Sequence, residues 1–246
     1  MSEDPYSEIA ERYDLFFAES EPARAAFFEK VFQSHRVRRV LDCACGTGHD
    51  LIMFGGMGLE VSGSDVSDSM LRRARANLDE AGMAIPLTKV DYRELPANFP
   101  EPFDAVVCLS SSILHMPDEE QVAAAVSSMR SVLRDGGILA MTQETTDKQW
   151  REKPRFILAG ATEAVSRLFV IDYDNGGARY NILDVYHGDP PQLRVWSVEY
   201  PRVFLADDYW RLLSEAGFRD VSLYGGYGFE PYDKRMSDRL ILVAEN

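Results

Sequence analysis

The chain has 246 residues, 46% of them hydrophobic and 11% aromatic, enough for a sizeable core built as one domain with an insertion or as two. Its formal net charge of −14 argues against a nucleic-acid partner, which needs a concentrated basic surface, and no apolar run nears the roughly 20 residues of a membrane span. The polar, acidic start MSEDPYSEIAERYD has neither secretory nor basic transit features, and Cys43, Cys45 and Cys108 read as core thiols, so a reducing, cytoplasmic setting without a metal site is expected.

Residues 1–36 read as helical pieces forming a lid, with Tyr6, Ile9, Tyr13, Phe16 and Phe17 available to cover a pocket. From 37 to 145 short apolar runs alternate with helix-period segments, the pattern of a parallel sheet covered by helices. Strands are predicted near 37–43, 59–64, 85–90, 103–109 and 138–142. Helices are predicted near 49–57, through Met70, Leu71, Ala74, Leu78 and Ala81, and after an Asp118–Gln121 capping box, with Val122, Val126, Met129 and Leu133 facing inward. The Pro-rich stretch 92–102 reads as a loop, and Asp135-Gly136-Gly137 as the stop of the preceding helix.

Residues 146–204 form an insertion in which alternating runs, separated by Asp174-Asn175-Gly176-Gly177 and Gly188-Asp189-Pro190-Pro191, predict an antiparallel sheet. The α/β pattern resumes over 205–246, with a helix at 207–216 and strands near 219–225 and 239–244. Exposed edges of the inserted sheet would allow pairing between subunits, hence a possible homo-oligomer.

The segment DCACGTG, Asp42 to Gly48, follows a buried strand. Its glycines let the chain reverse tightly and bring backbone N–H groups against a ligand. Asp65 ends the next strand, about 20 residues on, where such an architecture places the acceptor for ribose hydroxyls. A nicotinamide dinucleotide needs a pyrophosphate cradle, commonly GxGxxG, but Leu51 holds the third glycine position and Asp42 would repel a pyrophosphate. The same charge suits the ammonium and sulfonium of S-adenosylmethionine.

With the Asp91-Tyr92 pair, FDAVVCLSSSILH and GGILAM added, the series resembles the class I S-adenosylmethionine-dependent methyltransferases, and within them the small-molecule enzymes of the glycine N-methyltransferase type. The resemblance implies a Rossmann-like α/β fold with a seven-stranded sheet, its last strand antiparallel, and S-adenosyl-L-methionine as cofactor. It implies that Asp42, Ala44, Gly46, Thr47 and Gly48 approach the methionine portion and that Asp65 holds the ribose. Val66 and Met70 would lie beside the adenine, Asp91 and Tyr92 would meet its polar edge, and Leu109 and Ser110 would lie beneath the cofactor. Ala44 stands where the family usually has glycine, and His49 could reach the cofactor carboxylate or face solvent. Tyr13 resembles the aromatic that closes over the cofactor, and Arg24 is placed to pair with its carboxylate.

Methyl transfer asks the protein mainly to align an acceptor and exclude water, with a base needed only for a protonated acceptor. His115 and Glu144, both at strand ends facing the donor, are the candidate catalytic residues. Tyr173, Tyr180, Tyr186, Trp196 and Tyr200 could line an acceptor pocket, and one of Arg155, Arg167, Arg179 and Arg194 could clamp an acidic acceptor. The expected activity is methylation of a small molecule, with nitrogen preferred over oxygen. A non-catalytic S-adenosylmethionine sensor and, last, a nicotinamide oxidoreductase are the competing readings.

Overall fold

Branched apolar runs in the first half of the chain become parallel strands because helices cover both of their faces. The computed structural model describes residue 4, residues 6–16 and residues 21–246. A 3-10 helix (Ala10–Phe16) and α1 (Glu21–Ser34) precede β1 (Arg39–Asp42), α2 (His49–Gly56), β2 (Glu60–Asp65), α3 (Asp68–Glu80) and β3 (Leu87–Lys89). There follow α4 (Leu95–Asn98), β4 (Phe103–Cys108), a 3-10 turn (Ser112–His115), α5 (Glu119–Ser131), β5 (Leu133–Gln143) and α6 (Asp147–Glu152). Strands β6 (Phe156–Ala161), β7 (Val165–Tyr173), β8 (Ala178–Tyr186) and β9 (Gln192–Tyr200) come next, then α7 (Ala206–Glu215), β10 (Arg219–Tyr224) and β11 (Leu240–Glu245).

Seven strands form one sheet in the order β10-β11-β5-β4-β1-β2-β3. The last strand, β11, runs antiparallel to both neighbours, while β1 to β5 pair in parallel. Strand order reverses between β1 and β4, and the carboxyl ends there open the crevice in which such sheets bind ligands. One face packs Phe103, Val106, Val126, Met129, Tyr209 and Leu213; the other packs Phe27, Phe28, Phe54, Leu78, Ala105 and Val107. Ser67 caps α3 by accepting from the Met70 amide at 3.1 Å, and Asp118 caps α5 by accepting from the Gln121 amide at 2.9 Å. Gly63 lets α2 lie close on β2, since a Cβ there would meet Leu51 Cδ1 at 2.6 Å.

The second sheet, β6-β7-β8-β9, is wholly antiparallel. Its inner face carries Ile171, Ala178 and Tyr180 in a small core of their own. Among the described residues no helix is long and apolar enough to cross a membrane.

Three local expectations are corrected. Leu133 belongs to β5, not to the inner face of α5, because β5 runs through Asp135-Gly136-Gly137 with Gly136 at φ 68 and a register shift against β4. The Pro-rich stretch holds one helical turn, α4, whose Pro96 sits where a missing N–H is harmless. Helix α6 is unforeseen, though Thr146 caps it by accepting from the Gln149 amide at 3.3 Å. The side chain of Phe16 and all of Phe17 lie outside the described residues.

Candidate functional site

The turn after β1 takes the left-handed conformation at Gly46 (φ 50) and Gly48 (φ 81), which a side chain would strain. It brings the Gly46 amide to Asp65 Oδ2 at 2.9 Å, while Asp65 Oδ1 accepts from the Ser67 amide at 2.9 Å. Burial pushes the Asp65 carboxyl above its ordinary pKa. Beside it lies a cleft of about 290 Å³ whose walls include Tyr13, Ala44, Gly46, Thr47, His49, Asp65, Val66, Met70, Asp91, Tyr92, Leu109 and Ser110.

Asp42 and Gly48, expected at the ligand, lie behind that wall. Asp42 is 1% exposed and accepts from the Ala44 amide at 3.2 Å; burial and then the charge of Asp50 push its pKa well up, against Arg24. Gly48 instead caps α2 and lies against Ala74, where a Cβ would approach to 3.2 Å. Arg24 is buried in a 2.5 Å ion pair with Asp50, and it does not line the cleft.

The N-terminal segment is fastened over the cleft at four places. Asp4 accepts from the Ser69 amide (3.0 Å) and hydroxyl (2.6 Å) and from the Ser67 hydroxyl (2.9 Å) at the start of α3. Asp14 accepts from Thr47 Oγ1 and from Asn77 Nδ2. Arg167 on β7 donates to the carbonyls of Tyr13 (3.3 Å) and Arg12 (2.9 Å). The Tyr6 hydroxyl lies 2.5 Å from His115 Nε2. These contacts span up to 155 residues of sequence, and no local pattern announces them.

Past Tyr6 and Tyr13 opens a larger cavity of about 670 Å³ between the carboxyl edge of the main sheet and the inner face of the second sheet. Tyr6, Tyr13, Ser110, Ser112 and His115 border both spaces, so the two meet at one boundary. Glu144, just beyond β5, lines the larger one. Its Oε2 accepts from Ser111 Oγ at 3.0 Å, its own amide donates back to that oxygen at 3.2 Å, and Arg239 Nε lies 3.4 Å from Oε1. Ser110 and Ser111 are both left-handed (φ 55 and 64), a conformation costing about 1 kcal/mol or more per residue, and the turn they make aims Ser111 at Glu144. Ser111 escaped sequence reasoning; only its place at the end of β4 could have marked it. His115 is largely buried, which lowers its pKa to about 4 and keeps the ring neutral. Of the aromatic residues foreseen for the pocket, Tyr180, Trp196 and Tyr200 line it; Tyr173 and Tyr186 do not.

Residues 40–137 match the methyltransferase domain family. The chain is 32% identical over 225 residues to a glycine/sarcosine N-methyltransferase of Aphanothece halophytica, covering 89% of this chain and 80% of that one. The chain belongs to the class I S-adenosylmethionine-dependent methyltransferases. Among solved structures of this fold, an S-adenosylmethionine-dependent methyltransferase from Clostridium acetobutylicum superposes with a TM-score of 0.81, at 16% identity and 98% coverage of both chains. The S-adenosylmethionine-bound amino pentose methyltransferase of Micromonospora echinaspora gives 0.74, at 19% identity and 96% coverage of each.

The cleft of this methyltransferase suits its cofactor, S-adenosylmethionine, in the chemistry it offers. Val66, Met70 and Leu109 line the apolar part of the cleft, where a purine would fit, and Asp65 keeps lone-pair capacity for a diol beyond the backbone bonds it accepts. Asp50, held in its ion pair with Arg24, borders the same cleft.

Proposed function

We propose that this methyltransferase N-methylates a small-molecule amine that enters through the larger cavity. The observation that carries the reading is the shared boundary: the cofactor cleft and an acceptor-sized cavity meet at Tyr6, Tyr13, Ser110, Ser112 and His115, with the Glu144 carboxylate on the acceptor side. The glycine/sarcosine N-methyltransferase relatives support nitrogen as the acceptor atom. Bound in the cleft, S-adenosylmethionine supplies an electrophilic methyl on sulfonium, so the nitrogen lone pair forms the C–N bond as the S–C bond breaks with its electrons left on sulfur.

The chain's own residues then have simple tasks. Asp65 holds the ribose, with Val66 and Met70 at one face of the adenine and Asp91 and Tyr92 at its polar edge. Ala44, Gly46 and Thr47 leave room at the methionine end, and Leu109 and Ser110 form the floor. The described residues of the segment before α1, Asp4 and 6–16, act as a lid, in which Tyr13 and Tyr6 exclude water from the boundary, while α1 packs on the main sheet. Glu144 Oε1 accepts a hydrogen bond from the acceptor N–H and takes up the proton the nitrogen must lose. His115, neutral and already bonded to Tyr6, positions that ring instead of serving as the base. The core over 37–145 and 205–246 thus holds the donor, and 146–204 selects the acceptor.

A donor-turnover assay over amines and matched alcohols tests the reading. Methyl appearing on amine nitrogen is expected, with Glu144→Gln lowering kcat/KM by about tenfold to a hundredfold. Transfer confined to hydroxyl acceptors, or full activity of Glu144→Gln at every pH, would overturn it.

A further inference from the structure

The curated relatives act on glycine and sarcosine, small amines that carry a carboxylate. The cavity here has the wrong size and the wrong charges for such a ligand. Its volume of about 670 Å³ lies in the range of pockets that enclose drug-sized ligands, and glycine would leave most of it to water.

A carboxylate would have to displace an existing partner from each cation. Among the described residues, the cationic side chains on the wall are Lys148 and Arg167. Lys148 Nζ lies 2.7 Å from Asp238 Oδ1, and Asp238 itself lines the cavity. Arg167 is committed behind the wall: Nε and Nη2 grip Asp184 at 2.7 and 2.9 Å, and the guanidinium also holds the carbonyls of Arg12 and Tyr13. Taking Arg167 from Asp184, which is 2% exposed, would strand a buried carboxylate. Glu144, Glu152 and Asp238 meanwhile put three carboxylates on the same wall. Of the other arginines considered as clamps, Arg155 and Arg179 pair with Asp172 and Glu199, away from this cavity.

What the wall offers is ring surface. Phe169, Tyr180, Trp196 and Tyr200 face in from three neighbouring strands, with Ile182 and Val198 between them. Aromatic faces hold apolar rings by area and attract cations through their quadrupole. Resting on the N-methylation reading above, we infer that the acceptor is a ring-bearing amine without a carboxylate. Its ring system lies against the inner face of β7–β9, and its amino group points past Tyr200 to Glu144.

Matched pairs test this without knowledge of the natural acceptor. Tryptamine and 2-phenylethylamine are compared with tryptophan and phenylalanine, which add only a carboxylate, and with glycine and sarcosine. Binding is measured by calorimetry on the complex with S-adenosylhomocysteine, and turnover with S-adenosylmethionine. Each amine is expected to bind at least tenfold tighter than its amino acid and to exceed glycine at least tenfold in kcat/KM. Trp196→Ala should raise KM for tryptamine about tenfold while leaving kcat nearly unchanged. Preference for glycine or sarcosine, equal affinity within a matched pair, or no binding of either amine would overturn the assignment. Preferential methylation of glycine would do so while leaving N-methylation standing; transfer only to hydroxyl compounds would remove both.

Discussion

Arg167 joins the two halves of the site, and its replacement separates stability from ligand placement. Its side chain and that of Asp184 are 8% and 3% exposed, so Arg167→Met leaves a buried carboxylate without its partner. Breaking such a pair costs about 3–5 kcal/mol, a fall of roughly 6–20 °C in Tm for a chain of this length. The double variant Arg167→Met/Asp184→Leu removes both charges and should recover the part of Tm lost to the stranded carboxylate, because apolar replacement of a buried pair is close to neutral or stabilising. It does not restore the hydrogen bonds to the carbonyls of Tyr13 and Arg12. Bonds from a charged donor are worth about 1.5–3 kcal/mol each, and the anchors at Asp4 and Asp14 remain. A loss of about 1.5–3 kcal/mol in cofactor binding is therefore expected, roughly tenfold to a hundredfold in Kd. Thermal melting and calorimetry with S-adenosylhomocysteine measure the two effects. A double variant that regains Tm and also binds with the parent Kd would refute the idea that Arg167 places Tyr13 over the cleft.

Asp65→Asn puts an amide N–H against the Gly46 or Ser67 amide and should weaken S-adenosylhomocysteine binding at least tenfold by calorimetry, without rescue by Asp65→Glu. Gly63→Ala would press a methyl to 2.6 Å from Leu51 Cδ1 and 2.9 Å from Leu87 Cδ2, so a destabilisation of about 1–3 kcal/mol is expected in thermal melts. Burial lowers His115 from 6.5 to about 4, so between those values the unfolded chain binds the extra proton and stability rises with pH. Burial alone would raise Asp4, but hydrogen bonds from Ser69, Tyr6 and Ser67 hold it at about 2, adding a loss of stability as pH falls from 3.8 through 2. In an NMR titration of the four histidines, one ring should stay neutral down to about pH 4; a His115 that titrates near 6.5 would contradict its burial.

Much of the fold is legible in the sequence because its signals are local. Strand runs such as Phe103–Cys108, the Asp118–Gln121 cap and the glycine turn between Asp42 and Gly48 each need only a few neighbouring residues to form. The errors have the same origin. Asp135-Gly136-Gly137 reads as a helix stop, yet β5 has already begun at Leu133 and the triplet is an irregularity within it, flanked by pairing with β4 at Leu133 and Ile138. The Thr146-to-Gln149 cap is a local pattern that could have marked α6 in the sequence. The charge of Asp42 suggests a place at the ligand, but its side chain is buried and accepts from the Ala44 amide. Of the commitments that shape the acceptor cavity, Arg167 to Asp184 depends on the register of the β7–β8 hairpin and Arg167 to Arg12 joins residues 155 apart, and neither carries a periodic signature.

A crystal structure with S-adenosylhomocysteine and tryptamine bound would decide how the two spaces are used. The adenosine is expected in the cleft beside Gly46 and Asp65, against Val66 and Met70. The sulfur should lie at the boundary made by Tyr13, Ser110 and His115, with the amine nitrogen in line with it and within hydrogen-bond reach of Glu144. A sulfur walled off from the larger cavity, or an amine bound away from Glu144, would contradict the mechanism.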